Sequence, residues 1–135
     1  MKVVIIDGQG GKMGQMIIER VISANIPCEL IAIGTNSIAT SAMIKAGADA
    51  GATGENPVIV ACRDADVIIG PIGVIAADSL LGEVTPKMAV AVGQSNAKKL
   101  LLPVNLCNNI IVGTAKLSLS TLIAEAVEEL SKIQC

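Results

Sequence analysis

Short apolar runs alternate with segments of helical periodicity along most of the chain. The first apolar run, residues 2–6, leads through a glycine-rich stretch into residues 11–25, where apolar side chains recur on one helical face until Pro27. A second run, residues 29–33, precedes another helical segment at residues 38–46. This order of elements is typical of β-α-β units, in which helices connect parallel strands.

The same alternation predicts the elements of the second half. Further strands are expected where apolar residues cluster, at residues 57–61, 66–70, 99–104 and 110–113. Three helices are also expected. The first covers residues 73–81, the second begins with Thr85 as its N-cap and Pro86 in its first turn, and the third covers residues 118–133. Residues 46–56 are rich in Gly and Ala without regular periodicity, and form either a mobile binding loop or a connector.

These elements together predict one α/β domain over residues 1–135. The expected strands are rich in Ile and Val and lack alternating polar positions, which suits a sheet buried on both faces. The predicted architecture is a three-layer, Rossmann-like, doubly wound and mainly parallel sheet of about six strands. Ligands of such sheets bind beyond the carboxyl ends of the strands.

The composition narrows the chemistry that this domain can perform. The 135 residues contain no Phe, Tyr, Trp or His, 52% of them are hydrophobic, and the formal net charge is −2. This excludes catalysis that needs His or Tyr and argues against nucleic acid as a partner, because there is neither a basic stretch nor an aromatic stacking platform. Proton transfer would fall to Asp, Glu, Lys, Cys or water.

The cysteines and the apolar residues of the sequence predict the cellular location and the oligomeric state of the protein. The four cysteines are widely spaced, which indicates free thiols, and the chain does not begin with a signal-peptide pattern, so we expect a cytoplasmic protein. The longest apolar stretch is interrupted by Pro71 and Asp78, so no membrane partner is expected. The large apolar fraction favours a homodimer or a higher homo-oligomer.

The strongest chemical signal is the stretch GQGGKMG between the first strand and the first helix. Glycines there allow a tight turn and a close approach of the backbone to a pyrophosphate, and the N–H groups that begin the helix face the anion. The alternative is a tight turn that binds no ligand. The candidate cofactor-binding residues are Gly8, Gln9, Gly10, Gly11, Lys12, Met13 and Gly14.

Further candidates follow the other strands of the expected sheet. Thr35 and Asn36 follow the second strand, where a nucleotide ribose lies in dinucleotide-binding folds. The loop Gly70, Pro71, Ile72 and Gly73 either lies along a nicotinamide ribose or is a turn shaped by Gly and Pro. After the fifth strand come Asn105, Cys107, Asn108 and Asn109. The amides of the three Asn residues could orient a ligand, and the Cys107 thiol could react.

Two features depart from the usual dinucleotide pattern. Asp7 stands where a small uncharged residue is usual, and its carboxylate repels a pyrophosphate unless it is protonated, bridged by a metal or bonded to backbone N–H groups. Residues 34–37 contain neither the acidic residue that binds an NAD ribose nor an Arg for the NADP phosphate. Asp7 together with Asp64 or Asp66 is a candidate Mg²⁺ site, although the latter two suit strand-end positions better.

The motif G-x-x-G-x-M-G with a preceding basic residue resembles the dinucleotide-binding loop of dihydrodipicolinate reductases and, more loosely, that of prephenate dehydrogenases. This resemblance implies that Gly8, Gly11, Lys12, Met13 and Gly14 hold a cofactor pyrophosphate. It does not carry over the reductase activity, because the substrate domain and the paired-His motif are absent. Over its whole length the chain resembles a family of small stand-alone proteins of unknown function from anaerobic bacteria, in the stretches DGQGGKMG, GTNSIATSAMIKAGA, GATGEN, GPIGVI and LPVNLCN.

Three functions remain open on the sequence. The first is a nucleotide-binding protein that takes NAD or NADP at GQGGKMG, with or without catalysis of its own. The second is a non-enzymatic nucleotide or redox sensor or accessory protein, and the third is a small Mg²⁺-assisted enzyme that acts on a phosphorylated or carboxylated metabolite. Whether the protein is an enzyme, and which residues are catalytic, stay open.

Overall fold

A computed structural model describes residues 1–104, 108–114 and 116–133. Its five strands are β1 (Lys2–Asp7), β2 (Glu29–Gly34), β3 (Ala50–Thr53), β4 (Val67–Pro71) and β5 (Lys98–Leu102). Its five α-helices are α1 (Lys12–Ser23), α2 (Ser37–Lys45), α3 (Glu55–Ala61), α4 (Pro86–Gln94) and α5 (Leu119–Ile133). A short 3-10 helix, Ile72–Ile75, follows β4.

The strands form one fully parallel sheet in the order β3-β2-β1-β4-β5. The chain runs outward from β1 to one edge and then crosses to β4 on the other side, which confirms the doubly wound, Rossmann-like α/β architecture. The crossover point lies between β1 and β4, where the loops that follow these strands diverge. A cleft at the carboxyl ends of β1, β2 and β4 is therefore the expected ligand position.

Alternate residues of the central strand point into two separate cores. Val3 and Ile5 of β1 pack with α1, α2 and α5 on one face of the sheet. Val4 and Ile6 pack with α3 and α4 on the other face. All four side chains are fully or almost fully buried, so both faces of the sheet are covered around β1, as the uninterrupted apolar run predicts.

The prediction of about six strands is corrected to five within the described residues. The strand expected at residues 57–61 does not form, because these residues belong to α3, which begins after Gly54 and buries Val58. The third strand lies instead at Ala50–Thr53, inside the segment expected to be irregular. Its residues are small and lack an apolar run, and they form a strand because they pair with β2 at the edge of the sheet.

Two other expected elements are also wrong. The helix expected at residues 73–81 is replaced by the 3-10 helix and a series of turns, in which Asp78, Leu80, Leu81 and Gly82 have positive φ. The strand expected at residues 110–113 does not form, because this stretch carries no strand pairing and most of it is exposed. The other predicted helices and strands are confirmed with end shifts of a few residues.

The helices in the described part of the chain pack on the faces of the sheet. None of them is both long and apolar enough to cross a lipid bilayer. The longest, α5, buries Ile123, Val127 and Leu130 on one face and exposes charged residues on the other. It is therefore an amphipathic helix that covers one face of the sheet.

Candidate functional site

The register of the sheet brings the loops after β1, β2 and β4 to one edge. Asp7, the last residue of β1, pairs with Gly34, the last residue of β2. The pairing of Ile5 with Ile69 places the end of β4 beside them. The glycine-rich loop, residues 8–14, therefore begins at the same level as the loop that contains Thr35 and Asn36.

Three of the four loop glycines are explained by packing within the protein. A Cβ at Gly8 would lie 2.5 Å from Thr35 Oγ1 and 2.9 Å from Glu83 Oε1. Gly11 is the N-cap of α1 with φ of 74°, and a Cβ there would lie 2.7 Å from Ala39 Cα. A Cβ at Gly14 would collide with the Met43 side chain, so these glycines allow the loop and α1 to pack against their neighbours.

Gly10 differs from the other three glycines. A Cβ at this position would meet nothing within 4 Å, and its φ does not lie in the left-handed region. The residue is exposed, and no acceptor among the described residues binds its N–H group or that of Lys12, the first residue of α1. These two free donors lie at the positive end of the α1 dipole, where anions are stabilised.

The Asp7 side chain stabilises the inner side of the same loop, which is the side that contains the N–H groups of Gly8 and Gly14. Its side chain is 5% exposed, Oδ1 accepts the N–H of Gly8 at 2.8 Å, and Oδ2 accepts the N–H of Gly14 at 2.8 Å. Burial raises the pKa of this carboxyl, and the hydrogen bonds from Gly14 and Gly8 oppose that rise only in part. The carboxylate is thus bonded to backbone N–H groups, which is one of the three arrangements that reconcile it with a nearby pyrophosphate.

A cavity of about 230 Å³ opens on the outer side of the loop. Its walls are Asp7, residues 8–13 of the glycine-rich loop, Val104 after β5 and Leu119 at the start of α5. Four larger grooves lie elsewhere on the described residues, of about 530 Å³ between α3 and α4, about 610 Å³ beside β2 and β3, about 430 Å³ between α1 and α2, and about 300 Å³ between β5 and α5. We place the candidate site at the smaller cavity, because doubly wound sheets bind ligands at that edge.

Glu83 connects the loops after β1 and β2, and sequence reasoning missed it. Its Oε1 accepts hydrogen bonds from Thr35 Oγ1 at 2.6 Å, Asn36 Nδ2 at 2.8 Å and the N–H of Gln9 at 2.8 Å. Burial raises the pKa of this half-buried carboxyl, but the bonds from Thr35, Gln9 and Asn36 outweigh it and lower the pKa overall. The only sequence signal is Gly82, which marks a turn just before it.

The predicted residues of the second loop are therefore engaged inside the protein. Asn36 caps α2 by accepting the N–H of Ala39 at 2.9 Å, and its Nδ2 also donates to the Gln9 carbonyl at 2.9 Å. The Thr35 hydroxyl donates to Glu83. The side chains of Thr35, Asn36 and Glu83 thus form one hydrogen-bonded group at the end of β2, and none of the three lines the cavity of the glycine-rich loop.

The other sequence candidates lie apart from the cavity. Gly70 and Pro71 end β4, while Ile72 and Gly73 begin the 3-10 helix, and none of the four lines the cavity of the glycine-rich loop. The Gly73 carbonyl accepts a hydrogen bond from the Ser79 hydroxyl, which ties down the turns after it. Asn105 and Cys107 lie outside the described residues, and Asn108 and Asn109 are exposed.

The combination of Asp7 with Asp64 or Asp66 as a metal site is wrong. Asp64 pairs with the Lys2 ammonium at 2.8 Å, and Asp66 accepts the Lys2 backbone N–H at 2.7 Å. Both lie at the amino end of β1, whereas Asp7 lies at its carboxyl end, about 16 Å away for a strand of this length. Among the residues that the structure describes, no three His, Cys, Asp or Glu side chains form a group suited to a metal ion.

Comparison with known proteins assigns the chain to a family and finds solved structures with a similar fold. No curated protein matches the sequence. Among solved structures, the chain is similar to a dodecameric FMN-dependent Ubix-like decarboxylase from Escherichia coli O157:H7, with 20% identity, a TM-score of 0.45, and coverage of 98% of this chain and 76% of that one. A family model matches residues 2–134, and the chain therefore belongs to the family described as Domain of unknown function (DUF3842).

Proposed function

We propose that this protein binds a nucleotide, NAD or NADP, with its pyrophosphate on the outer side of the glycine-rich loop. The observation that carries this proposal is Gly10. Packing explains the absence of a side chain at Gly8, Gly11 and Gly14, whereas Gly10 faces open space beside a cavity. A glycine that the protein itself does not need at an exposed turn is suited to close approach of a ligand.

The donors at this position fit an anion. The free N–H groups of Gly10 and Lys12 lie at the N-terminus of α1, and the exposed Lys12 side chain lines the same cavity. The helix dipole and the ammonium both favour negative charge there. The inner N–H groups of Gly8 and Gly14 are occupied by Asp7, so the ligand is proposed to lie on the outer side only.

The dimensions limit what the cavity holds. Ligand pockets commonly have volumes of about 300–1,000 Å³, and this cavity has about 230 Å³. The proposed pyrophosphate fits within it, while the nucleoside parts extend along the carboxyl edge of the sheet. The homo-oligomer expected from the sequence, in which a second subunit adds a wall to this edge, stays a prediction, and no catalytic step is proposed.

The Mg²⁺-assisted alternative loses its main support. Asp7 is its candidate ligand, but both carboxylate oxygens accept backbone N–H groups in a buried position. The sensor alternative requires the same nucleotide site as the proposal and differs from it only in the effect that nucleotide binding has on the protein.

Calorimetric titration of the full chain with NADH and NADPH tests the proposal. We expect saturable binding of at least one of them, and weakening by about tenfold in Lys12→Ala, because a charge-assisted contact is lost. Lys45→Ala is the matched control, since Lys45 is exposed at the far end of α2 and does not line the cavity. Absence of binding, or equal weakening in both variants, contradicts the proposal.

A further inference from the structure

Glu83 lies against Thr35 and Asn36 after β2, and dinucleotide-binding folds place a ribose after this strand. In dinucleotide-binding sheets, an acidic residue after the second strand accepts hydrogen bonds from the ribose hydroxyls. The segment after β2 in this chain contains no such residue. Glu83 brings a carboxylate to the same place from a segment 48 residues further along the chain than Thr35.

The segment that carries Glu83 is held in place by packing and backbone bonds. Leu80 is 2% exposed and lies against Gly8, where a Cβ would be 3.0 Å from its Cδ1 atom. The N–H of Val84 donates to the Ser79 carbonyl at 3.2 Å, and that of Asp78 donates to the Val84 carbonyl at 2.7 Å. Glu83 is therefore a fixed part of the carboxyl edge.

The two oxygens of Glu83 have different surroundings. Oε1 accepts three donors, from Thr35, Asn36 and Gln9, which fixes the direction of the carboxylate. Oε2 has no hydrogen-bond partner among the residues described, and the side chain is half-buried. An oriented carboxylate oxygen thus remains available between the loops after β1 and β2.

The charges around Glu83 argue against a phosphate group of a ligand at this position. The two ion pairs found within the described residues are Lys2 with Asp64 and Lys132 with Glu129, so no cation pairs with Glu83 there. A phosphate on the ribose would face this carboxylate, which no Arg or Lys of the described residues neutralises in an ion pair. Hydroxyl groups, by contrast, can donate to the free oxygen.

We propose that Glu83 is a specificity-determining residue that accepts the hydroxyls of an unphosphorylated nucleotide ribose and rejects a 2′-phosphate. The protein then selects NAD over NADP. This inference rests on the proposed nucleotide site at the glycine-rich loop. It assigns the discrimination between NAD and NADP to a residue that the sequence pattern does not single out and that lies outside both the glycine-rich loop and the loop after β2.

Calorimetric titration with NADH and NADPH tests the inference in the wild type, Glu83→Gln and Glu128→Gln. Gln keeps an oxygen that can accept the three donors of Oε1 but removes the charge, so the fold is expected to persist, which a thermal melt verifies. Glu128→Gln removes the same charge from an exposed position on α5. We expect the wild type and Glu128→Gln to bind NADH about tenfold or more tightly than NADPH, and Glu83→Gln to lose most of that preference through weaker NADH binding.

Three further outcomes would each contradict a stated claim. If both nucleotides bind and Glu83→Gln keeps the wild-type preference, the assignment of Glu83 is wrong while the proposed function stands. If Glu83→Gln binds both nucleotides more tightly by the same factor, the carboxylate acts as an internal anion that excludes the ligand, and the assignment is also wrong. If neither nucleotide binds the wild type or either variant, the proposed function fails and the assignment fails with it.

Discussion

Glycines and backbone N–H groups occur on both the inner and the outer side of the glycine-rich loop, but they have different roles on the two sides. On the inner side, buried Asp7 accepts hydrogen bonds from the N–H groups of Gly8 and Gly14, and the glycines make room for neighbouring segments of the same chain. On the outer side, Gly10 faces open space, and the N–H groups of Gly10 and Lys12 have no acceptor in the described part of the protein. The difference teaches that a glycine motif alone does not tell which of its residues serve the fold and which can serve a ligand.

The two carboxylates at this edge show the same contrast. Both oxygens of Asp7 are occupied and the group is buried, so it stabilises the turn. Glu83 is half-buried, and its hydrogen bonds converge on Oε1 alone. Burial dominates the pKa of the first, and hydrogen bonding determines the direction of the pKa shift in the second.

The largest expected effect is on the inner side, from Gly11→Ala. The new Cβ would lie 2.7 Å from Ala39 Cα and 2.8 Å from its carbonyl oxygen, at a residue with φ of 74°. We expect the free energy of unfolding to fall by more than about 2 kcal/mol, because both the backbone conformation and the packing are lost. Urea denaturation measures this loss, and a decrease below about 0.5 kcal/mol would show that the loop does not need this glycine.

A somewhat smaller loss is expected from Asp7→Ala. The substitution leaves the N–H groups of Gly8 and Gly14 without their acceptor in a buried region. Unsatisfied buried donors cost about 1–3 kcal/mol, and we expect a decrease in unfolding free energy of that order at neutral pH. An unchanged denaturation midpoint would contradict the structural role of Asp7.

The pH dependence of stability is expected to differ in sign between the two carboxylates. The raised pKa of Asp7 means that its contribution is complete below the unfolded pKa of 3.8 and declines as pH rises through the folded value. The lowered pKa of Glu83 means that its contribution is complete above the unfolded pKa of 4.5 and is lost as pH falls through the folded value.

Urea denaturation at a series of acidic and neutral pH values checks this contrast. The stability advantage of the wild type over Asp7→Ala should shrink as pH rises from below 3.8. Its advantage over Glu83→Gln should grow as pH rises towards and above 4.5. The same pH trend for both comparisons would contradict the assigned environments.

The smallest effect on stability is expected on the outer side, from Gly10→Val. A Cβ there meets nothing within 4 Å and the backbone is not left-handed, so the unfolding free energy should change by no more than about 0.5 kcal/mol. Gly93→Val is the matched control, since this exposed glycine in α4 also has no neighbour within 4 Å of a Cβ. A loss as large as that of Gly11→Ala would remove the distinction between the two sides.

The fold was predictable from sequence where apolar pattern and local signals agreed. The first strand, the glycine stretch and the first helix have strong periodicity, and the Thr85 cap with Pro86 marks α4 correctly. At Ala50–Thr53 the strand depends on pairing with β2, which local sequence does not encode. Residues 57–61 are rich in Val and Ile, yet tertiary packing places Val58 in the core from a helix.

The site was predictable only in its first loop. The glycine-rich loop follows a strand and begins a helix, which is the context that gives such a motif its meaning. Glu83 was not predictable, because it reaches Thr35 and Asn36 through turns in which Leu80 and Leu81 adopt positive φ. Bulky residues rarely adopt that conformation, so propensities favour a helix there instead.

Titration of the wild type, Gly10→Val and Gly93→Val with NADH tests the central claim most directly. The chain contains no Phe, Tyr or Trp, so the absorption and fluorescence of the nucleotide are read without an aromatic background from the protein. We predict equal binding by the wild type and Gly93→Val, and binding weaker by at least about tenfold in Gly10→Val at unchanged stability. Equal NADH binding by all three proteins, or binding of neither NADH nor NADPH by the wild type, would contradict a ligand site on the outer side of the glycine-rich loop.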